Sequence, residues 1–301
     1  MAIPAQAERY QGEFKDDERH GRGTCIFPDG GRYTGDWEAG SAHGEGRFDH
    51  ANGDIFVGIF RKRCRVRGKL TWAATGDEYD GEFANDLPHG QGSRRYASSG
   101  VVHSGRWERG VPAGEGERRD ERSGVVRRGE FRGDELHGEG EEVLPSGKDG
   151  VASVDVVDRC TGHFEHGVRQ GHGRLETADG VVWEGDWQGG VPHGQCTSLR
   201  EPSDGGTHEY VGGWAHGARH GQGRQVDASG DAYEGAWVRG RKEGRGTETL
   251  GGGPEGGGEA YTGEFLDSLR HGEGSLTRAE GWRLAGRFQA GVQRGLPRQR
   301  L

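Results

Sequence analysis

The sequence predicts an all-β chain: an elongated, single-layer antiparallel ribbon of about 12 stacked β-hairpins. Three observations predict it. A glycine recurs at Gly12, Gly35, Gly58, Gly81, Gly105, Gly129, Gly162, Gly185, Gly212, Gly235, Gly263 and Gly286, at intervals of 23 or 24 residues broken only three times. Two residues after each of these glycines stands an aromatic ring: Phe14, Trp37, Phe60, Phe83, Trp107, Phe131, Phe164, Trp187, Trp214, Trp237, Phe265 and Phe288. Many units are joined by a Gly-containing turn such as Pro28-Asp29-Gly30, Ala51-Asn52-Gly53, Ala178-Asp179-Gly180 or Ala228-Ser229-Gly230, the residue pairs that close hairpins.

The first strand of a unit is read from residues such as Tyr33, Gly35 and Trp37. Positions i, i+2 and i+4 share one face of a strand, so Thr34 and Asp36 face the other way. Two residues before the glycine, eight of the 12 units carry a second ring: Tyr10, Tyr33, Phe56, Tyr79, Trp183, Tyr210, Tyr233 and Tyr261. The second strand follows in stretches like His43-Gly44-Glu45-Gly46-Arg47-Phe48, with glycines inward and charges outward. A ring from a neighbouring strand can lie flat over a glycine, which has no side chain to obstruct it. The inner layer is then rings on bare backbone. One hairpin is marginal alone, but stacked units share a continuous buried strip.

Composition alone points the other way. The chain has 62 glycines, and its 13 Leu, 4 Ile, 20 Val and 10 Phe make only 47 of 301 residues, a level associated with disorder in charged chains. The repeat overrides that reading. Cys25, Cys64, Cys160 and Cys196 form no Cys-x-x-Cys pair, so neither a zinc site nor a redox pair is signalled, and widely spaced cysteines fit a reducing cytoplasm. The start, MAIPAQAERY, lacks a signal-peptide pattern, and no apolar run approaches the roughly 20 residues that span a bilayer. A net charge of −9 with interspersed signs argues against a nucleic-acid binder.

The pattern Tyr-x-Gly-x-(Phe/Trp)-x-x-Gly-x-x-His-Gly-x-Gly, as in YTGDWEAGSAHGEG from residue 33, resembles the signature of MORN (membrane occupation and recognition nexus) repeats. The resemblance covers roughly residues 10–295 and about 12 units. The histidine is replaced at Arg67, Ala113, Gln170, Glu243 and Arg294, and the second glycine at Leu70, Cys196 and Pro297. Units 5 to 7 lose the first ring to His103, Arg127 and Cys160, and the last unit, with Leu284, is degenerate. The expected division is a tail at 1–9, repeats 1–6 over 10–147, an insertion at 148–159, repeats 7–12 over 160–295 and a tail at 296–301. The insertion is an extended hairpin or a hinge, and the valines at 151, 154, 156 and 157 favour the hairpin. Residues 201–207 and 251–259 read as surface loops.

No phosphate-binding loop motif occurs, and the Gly-x-Gly pairs open no helix. The recurring His20, His43, His89, His137, His193, His220 and His271 are spaced about two strands, roughly 9.6 Å, apart, too far to share one metal. They read as turn residues that pack and hydrogen-bond locally. Glu13, Asp36, Glu82, Glu130, Asp186 and Glu264 read as a solvated outer face. No catalytic set, metal site or cofactor site is found. The one departure is RKRCRVRGK at 61–69, where Arg61, Lys62, Arg63, Arg65, Arg67 and Lys69 concentrate positive charge in an acidic chain. Arg118, Arg119, Arg122, Arg127 and Arg128 form a looser second group. Both read as solvated loops or as contacts for an anionic lipid headgroup, an acidic tubulin tail or an acidic partner segment.

The resemblance implies a non-enzymatic cytoplasmic scaffold for a cytoskeletal, ciliary or membrane-apposed assembly. A partner helix or strand would sit in the groove of the ribbon or at its edge. The alternative is a phosphoinositide-binding adaptor working through 61–69. MORN arrays also precede enzyme domains, but only about ten residues before the repeats and six after them leave no room for one. An exposed N-terminal edge strand is expected to be the stickier end, covered by a partner or by a second copy of the chain, because Pro297 and the arginines of the tail discourage strand addition at the other end.

Overall fold

Each hairpin forms where a Gly-x-ring segment ends in two residues that turn. At Asp16-Asp17, Lys62-Arg63 and Asn85-Asp86 both turn residues have positive φ, between 49° and 72°. That backbone matches the right-handed twist of the flanking strands. A computed structural model describes residues 7–145, 157–200, 208–251, 257–278, 281–294 and 299–300, and contains no α-helix among them. It divides into two compact units, one ending at Pro145 and the other comprising the described residues from 157 onward.

The first unit holds hairpins 1 to 6: β1 (Arg9–Lys15) with β2 (Glu18–Ile26), β3 (Arg32–Glu38) with β4 (Ser41–Asp49), β5 (Ile55–Arg61) with β6 (Cys64–Thr71), β7 (Glu78–Ala84) with β8 (Leu87–Tyr96), β9 (Val101–Glu108) with β10 (Val111–Asp120), and β11 (Val126–Arg132) with β12 (Glu135–Pro145). The second holds hairpins 7 to 12: β13 (Val157–Glu165) with β14 (Val168–Glu176), β15 (Val181–Gln188) with β16 (Val191–Arg200), β17 (His208–Ala215) with β18 (Ala218–Val226), β19 (Ala232–Val238) with β20 (Arg241–Leu250), β21 (Glu259–Leu266) with β22 (Leu269–Arg278), and β23 (Trp282–Gln289) with β24 (Val292–Arg294). Within each unit successive strands pair antiparallel, as β2 does with β3 and β16 with β17. Each unit is therefore an open antiparallel ribbon one sheet thick. The expected loop at 201–207 and residues 148–156 of the expected insertion at 148–159 lie outside the described residues, as does most of 251–259; residues 157–159 open β13.

Register places the glycines in a line across the strands. Gly12 opposes Gly23, Gly23 opposes Gly35, Gly35 opposes Gly46 and Gly46 opposes Gly58. A Cβ on Gly46 would overlap the Tyr33 ring, which reaches over from the adjacent strand. The glycine line and its aromatic cover are thus as the periodicity predicts. The second-column rings then slot between first-column rings. Trp37 meets Tyr33 and Tyr10, each at 5.2 Å and edge to face, and Trp237 meets Tyr233 at 5.2 Å and Tyr210 at 5.5 Å. Such pairs add about 0.5–1.5 kcal/mol each beyond the area they bury. Indole Nε1–H of Trp37, Trp107, Trp187, Trp214 and Trp237 donates at 3.0–3.1 Å to a carbonyl of the preceding hairpin, so these rings tie neighbouring repeats together.

Hairpins 1 to 11 also carry a bulge that the periodicity does not reveal. In hairpin 2, Gly35 opposes Gly46 but Trp37 opposes Ala42, so His43-Gly44-Glu45 faces Asp36 alone. Gly44 takes φ 61°, a left-handed conformation that glycine adopts without cost. The Tyr33 hydroxyl donates to the Asp36 carbonyl at 2.8 Å, and the same contact recurs from Tyr79 to Glu82 at 2.9 Å.

Three expectations are corrected. Leu70 does not replace the second glycine: hairpin 3 is one residue shorter, Gly68 opposes Gly58, and Leu70 is a buried residue opposite Phe56. Phe14 belongs to the column by register but is 62% exposed, because among the described residues no preceding hairpin supplies a ring against it. At the other end, Gln299–Arg300 adds as β25 to Trp282 and Arg283 of β23, so the C-terminal tail covers an edge itself.

Candidate functional site

All rings of the second column except Phe14 are buried on one face, with most of the first column beside them and Tyr10 and Trp183 partly buried. The opposite face lacks them, and the bare glycine line becomes the floor of a groove there. Over hairpins 1 to 3 this groove has a volume of about 960 Å³, with Gly12, Gly23, Gly35, Gly46 and Gly58 along its floor. Its walls mix chemistries. Thr24 and Thr34 hydroxyls meet at 3.1 Å, and Arg22 Nε lies 3.3 Å from Asp36 Oδ1. Val57 and Ile59 are 49% and 39% exposed beside them. A floor without side chains lets another backbone approach closely.

The basic run 61–69 does not form one patch. Arg61, Lys62 and Arg63 stand exposed at the tip of hairpin 3, with Lys62 and Arg63 as its two turn residues. Arg65 turns to the ring face, where it lies 5.6 Å from the Phe56 ring and 5.3 Å from Phe83 and pairs with Asp86 at 3.2 Å. Arg67 and Lys69 are exposed beside the groove, opposite Ile59 and Val57, and Lys69 pairs with Glu78 at 2.8 Å. In the second basic group Arg119, Arg127 and Arg128 pair with glutamates at 2.6–3.3 Å.

The carboxylates expected to form a solvated face have a structural task in several hairpins. Asp36 Oδ2 accepts from the Glu45 backbone N–H at 3.0 Å, and Glu13 Oε1 accepts from Arg22 N–H at 3.1 Å. These are the donors that the bulge removes from the ladder. Hairpin 3 lacks the first bulge glycine, has Ile59 at the carboxylate position and has Phe56 where others have tyrosine; all three changes accompany its missing residue. The histidines sit in the bulge, as expected of local turn residues: His43 Nδ1 lies 3.1 Å from Glu38, and the His271 carbonyl accepts from Tyr261 at 3.1 Å.

Among the described residues no group of three or more His, Cys, Asp or Glu side chains could hold a metal ion, and no helix is long and apolar enough to cross a membrane. Sequence reasoning missed the bulge, and it expected a groove without saying which face or which residues form it. The one signal for either was the carboxylate that recurs beside the marker glycine.

A chain of stacked β-hairpins built on a glycine line is a β-repeat protein. The MORN repeat family model matches residues 10–32, 33–55, 79–101, 103–121, 128–148, 160–182, 183–200, 210–232, 233–253 and 261–283, more than half of the chain. The chain belongs to the MORN-repeat family. The unmatched stretches include hairpin 3, which keeps the fold while departing from the motif. MORN repeats are in general interaction and scaffold modules rather than enzymes.

Proposed function

We propose that this chain is a non-enzymatic scaffold that seats a partner segment in the polar-face groove of hairpins 1 to 3. The groove itself is the observation that carries the reading: about 960 Å³ over a glycine floor, walled by paired charges, threonines and two exposed aliphatic side chains. Backbone exposure gives the partner close approach, while Val57 and Ile59 offer apolar contact. The family's general role as an interaction module supports the scaffold; a cytoskeletal, ciliary or membrane-apposed assembly in the cytoplasm is the setting proposed for it. A partner strand or a second copy at the exposed edge of β1 is the companion reading, favoured by the 62% exposure of Phe14. For the alternative of an anionic-lipid or tubulin-tail contact, Arg61, Lys62 and Arg63 are the accessible cations at the tip.

Thr34→Trp tests the groove, because Thr34 points into it and its replacement fills it. The expected result is an unchanged circular dichroism spectrum and loss of the proteins that co-purify with a tagged copy in cells. Retention of the same partners would overturn the reading. Ser substitutions at Arg61, Lys62 and Arg63 should leave those partners bound; loss of binding to phosphoinositide vesicles instead would favour the lipid adaptor.

A further inference from the structure

One position on the ring face repeats as a cation. It stands opposite the second-column ring on the partner strand: Arg19 faces Phe14, Arg65 faces Phe60, Arg169 faces Phe164, Arg219 faces Trp214, Lys242 faces Trp237 and Arg270 faces Phe265. Each lies over rings. Four of the six also have a carboxylate from this chain. Arg19 pairs with Glu8 at 2.7 Å, Arg65 with Asp86 at 3.2 Å and Lys242 with Glu248 at 2.6 Å; Arg270 pairs with Glu248 and Glu259, both at 2.9 Å.

Arg169 and Arg219 differ. Arg219 lies 5.2 Å from the Tyr210 ring and 5.0 Å from Trp237, and among the described residues its side chain's only hydrogen bond is Nη1 donating to Gln225 Oε1 at 2.6 Å. Gln225 opposes Tyr210 as Glu248 opposes Tyr233, so a neutral amide stands where Lys242 has its carboxylate. Ser198, opposite Trp183, holds that place in the preceding hairpin, from which Arg270 draws Glu248. Burial pulls the Arg219 pKa down, and only the nearby Tyr210 phenol, not a carboxylate, works against it. Arg169 lies 4.6 Å from the Trp187 ring, with Nη1 buried and lacking any hydrogen-bond partner. Among the described residues neither arginine has an ion-pair partner. A half-buried guanidinium without a counterion is costly, and one that is already largely desolvated gains more from an arriving anion.

The space for one is present. A cavity of about 110 Å³ beside Arg219 is lined by Ser198, Tyr210, Gln225 and Glu209, the last of which makes no ion pair with it. That volume suits a carboxylate, whose planar pair of oxygens matches the guanidinium fork. Between the two arginines, hairpin 8 offers Pro192 and the Trp183–Trp214 pair at 4.9 Å, an apolar bridge.

We propose that the ring face of hairpins 7 to 9 docks an acidic segment of a partner protein, with one Asp or Glu carboxylate in the Arg219 cavity and another, roughly 19 Å away across four strand spacings, at Arg169. This surface lies on a different face and in a different unit from the groove of hairpins 1 to 3, so it stands or falls separately.

The indole N–H resonances of Trp187, Trp214 and Trp237 report on it directly. The full chain is titrated with a decapeptide of glutamate, a decapeptide of glutamine and inorganic phosphate. The glutamate peptide should shift these resonances saturably, and the glutamine peptide should not. Arg219→Gln should weaken that binding at least tenfold and Arg169→Gln several-fold. Gln225→Glu supplies the missing carboxylate from within; it should abolish binding while leaving the melting temperature unchanged or higher, so loss of binding cannot be loss of fold. Wild-type binding by Gln225→Glu, equal response to the glutamine peptide, or an equal response to inorganic phosphate would each overturn the proposal.

Discussion

Hairpins 4 and 6 share one register and differ in what covers their glycines. In hairpin 4 the Tyr79 ring lies over Gly81 and Gly92, edge to face with Phe83 at 5.1 Å and Trp107 at 5.3 Å. In hairpin 6 the same place holds Arg127, which pairs with Glu142 directly across the ladder at 2.6 Å. The cover over Gly140 comes instead from Leu136, whose methyls lie 3.0 and 3.3 Å from where a Cβ would stand. Leu136 opposes Phe131, where hairpin 4 has Pro88 opposite Phe83, a ring too short to reach the glycine. The backbone follows the cover. Gly129 takes φ 127°, and the marker glycine also has positive φ at Gly105, Gly162, Gly185 and Gly286, but in none of the six hairpins with tyrosine. The lesson is that the second column is the shared core, while the first column is a lid that several chemistries can make.

That view is broken most directly at the shared column. Phe83→Ala and Phe131→Ala should each cost about 3–5 kcal/mol in urea titrations, as buried aromatic truncations do. Near-equal costs are the expected outcome. If Phe131→Ala proved several times cheaper, hairpin 6 would owe its stability to the Arg127–Glu142 pair and the column would not be the common core.

Hairpin 5, between the two, sharpens the comparison with acid. His103 takes the tyrosine place there, edge to face with Trp107 at 5.5 Å and Phe131 at 4.6 Å, and is 1% exposed. Burial pushes its pKa down to about 4. The unfolded chain, with an ordinary histidine, therefore binds a proton that the folded chain refuses. Stability from this group is intact above about pH 6.5 and falls as pH drops towards 4, by roughly 3 kcal/mol in all. His103→Phe should flatten that part of the stability–pH curve between pH 6.5 and 4. An unchanged curve would mean the ring is protonated in the fold.

Much of this was legible in the sequence, and the omissions have physical causes. The 23-residue glycine period and the ring at every Phe83-like position give strands, faces and stacking, because they encode which side chains share a face. The bulge was hidden because His-Gly-x-Gly looks like plain alternation; only the register, with Trp37 opposite Ala42, and the positive φ of residues such as Gly44 show that two residues are extra. The same blindness misaligned hairpin 3, where deleting one bulge residue shifts Gly68 into the line. The two-residue tips were missed where they are Asp16-Asp17 or Lys62-Arg63, which lack the glycine that usually marks a positive φ. The lining of both candidate surfaces escaped for a further reason. The resemblance implied a groove, but its floor is an absence of side chains, and an unpaired arginine is visible only once Gln225 and Ser198 are seen where a glutamate stands elsewhere.

Small residues discriminate the two lids next. A Cβ at Gly92 meets the fixed Tyr79 ring, while one at Gly140 meets flexible Leu136 methyls and the Arg128 carbonyl, both at 3.0 Å. Gly92→Ala should therefore cost about 1–3 kcal/mol by overpacking, and Gly140→Ala clearly less. The thermal unfolding of the two variants checks this. Equal losses would place the strain in the backbone approach common to both hairpins rather than in the lid.

The finest distinction is a single oxygen. Tyr79 hydroxyl donates at 2.9 Å to the Glu82 carbonyl, which the bulge has taken out of the ladder. Tyr79→Phe keeps the ring over the glycines and removes only that donor. The expected cost is about 1 kcal/mol, the low end for a buried group left unpaired, because Glu82 itself is exposed and water can reach its carbonyl. Hairpin 3 supplies the reciprocal variant. It already has Phe56, and its register shift falls between Ile59 and Phe60 rather than after the glycine, so the carbonyl is presented differently. Phe56→Tyr should gain nothing in a urea titration and add a phenol to a 0%-exposed site. A gain matching the Tyr79→Phe loss would show that the hydroxyl stabilises any lid, independent of the bulge, and would detach the tyrosine column from the bulge it is argued to serve.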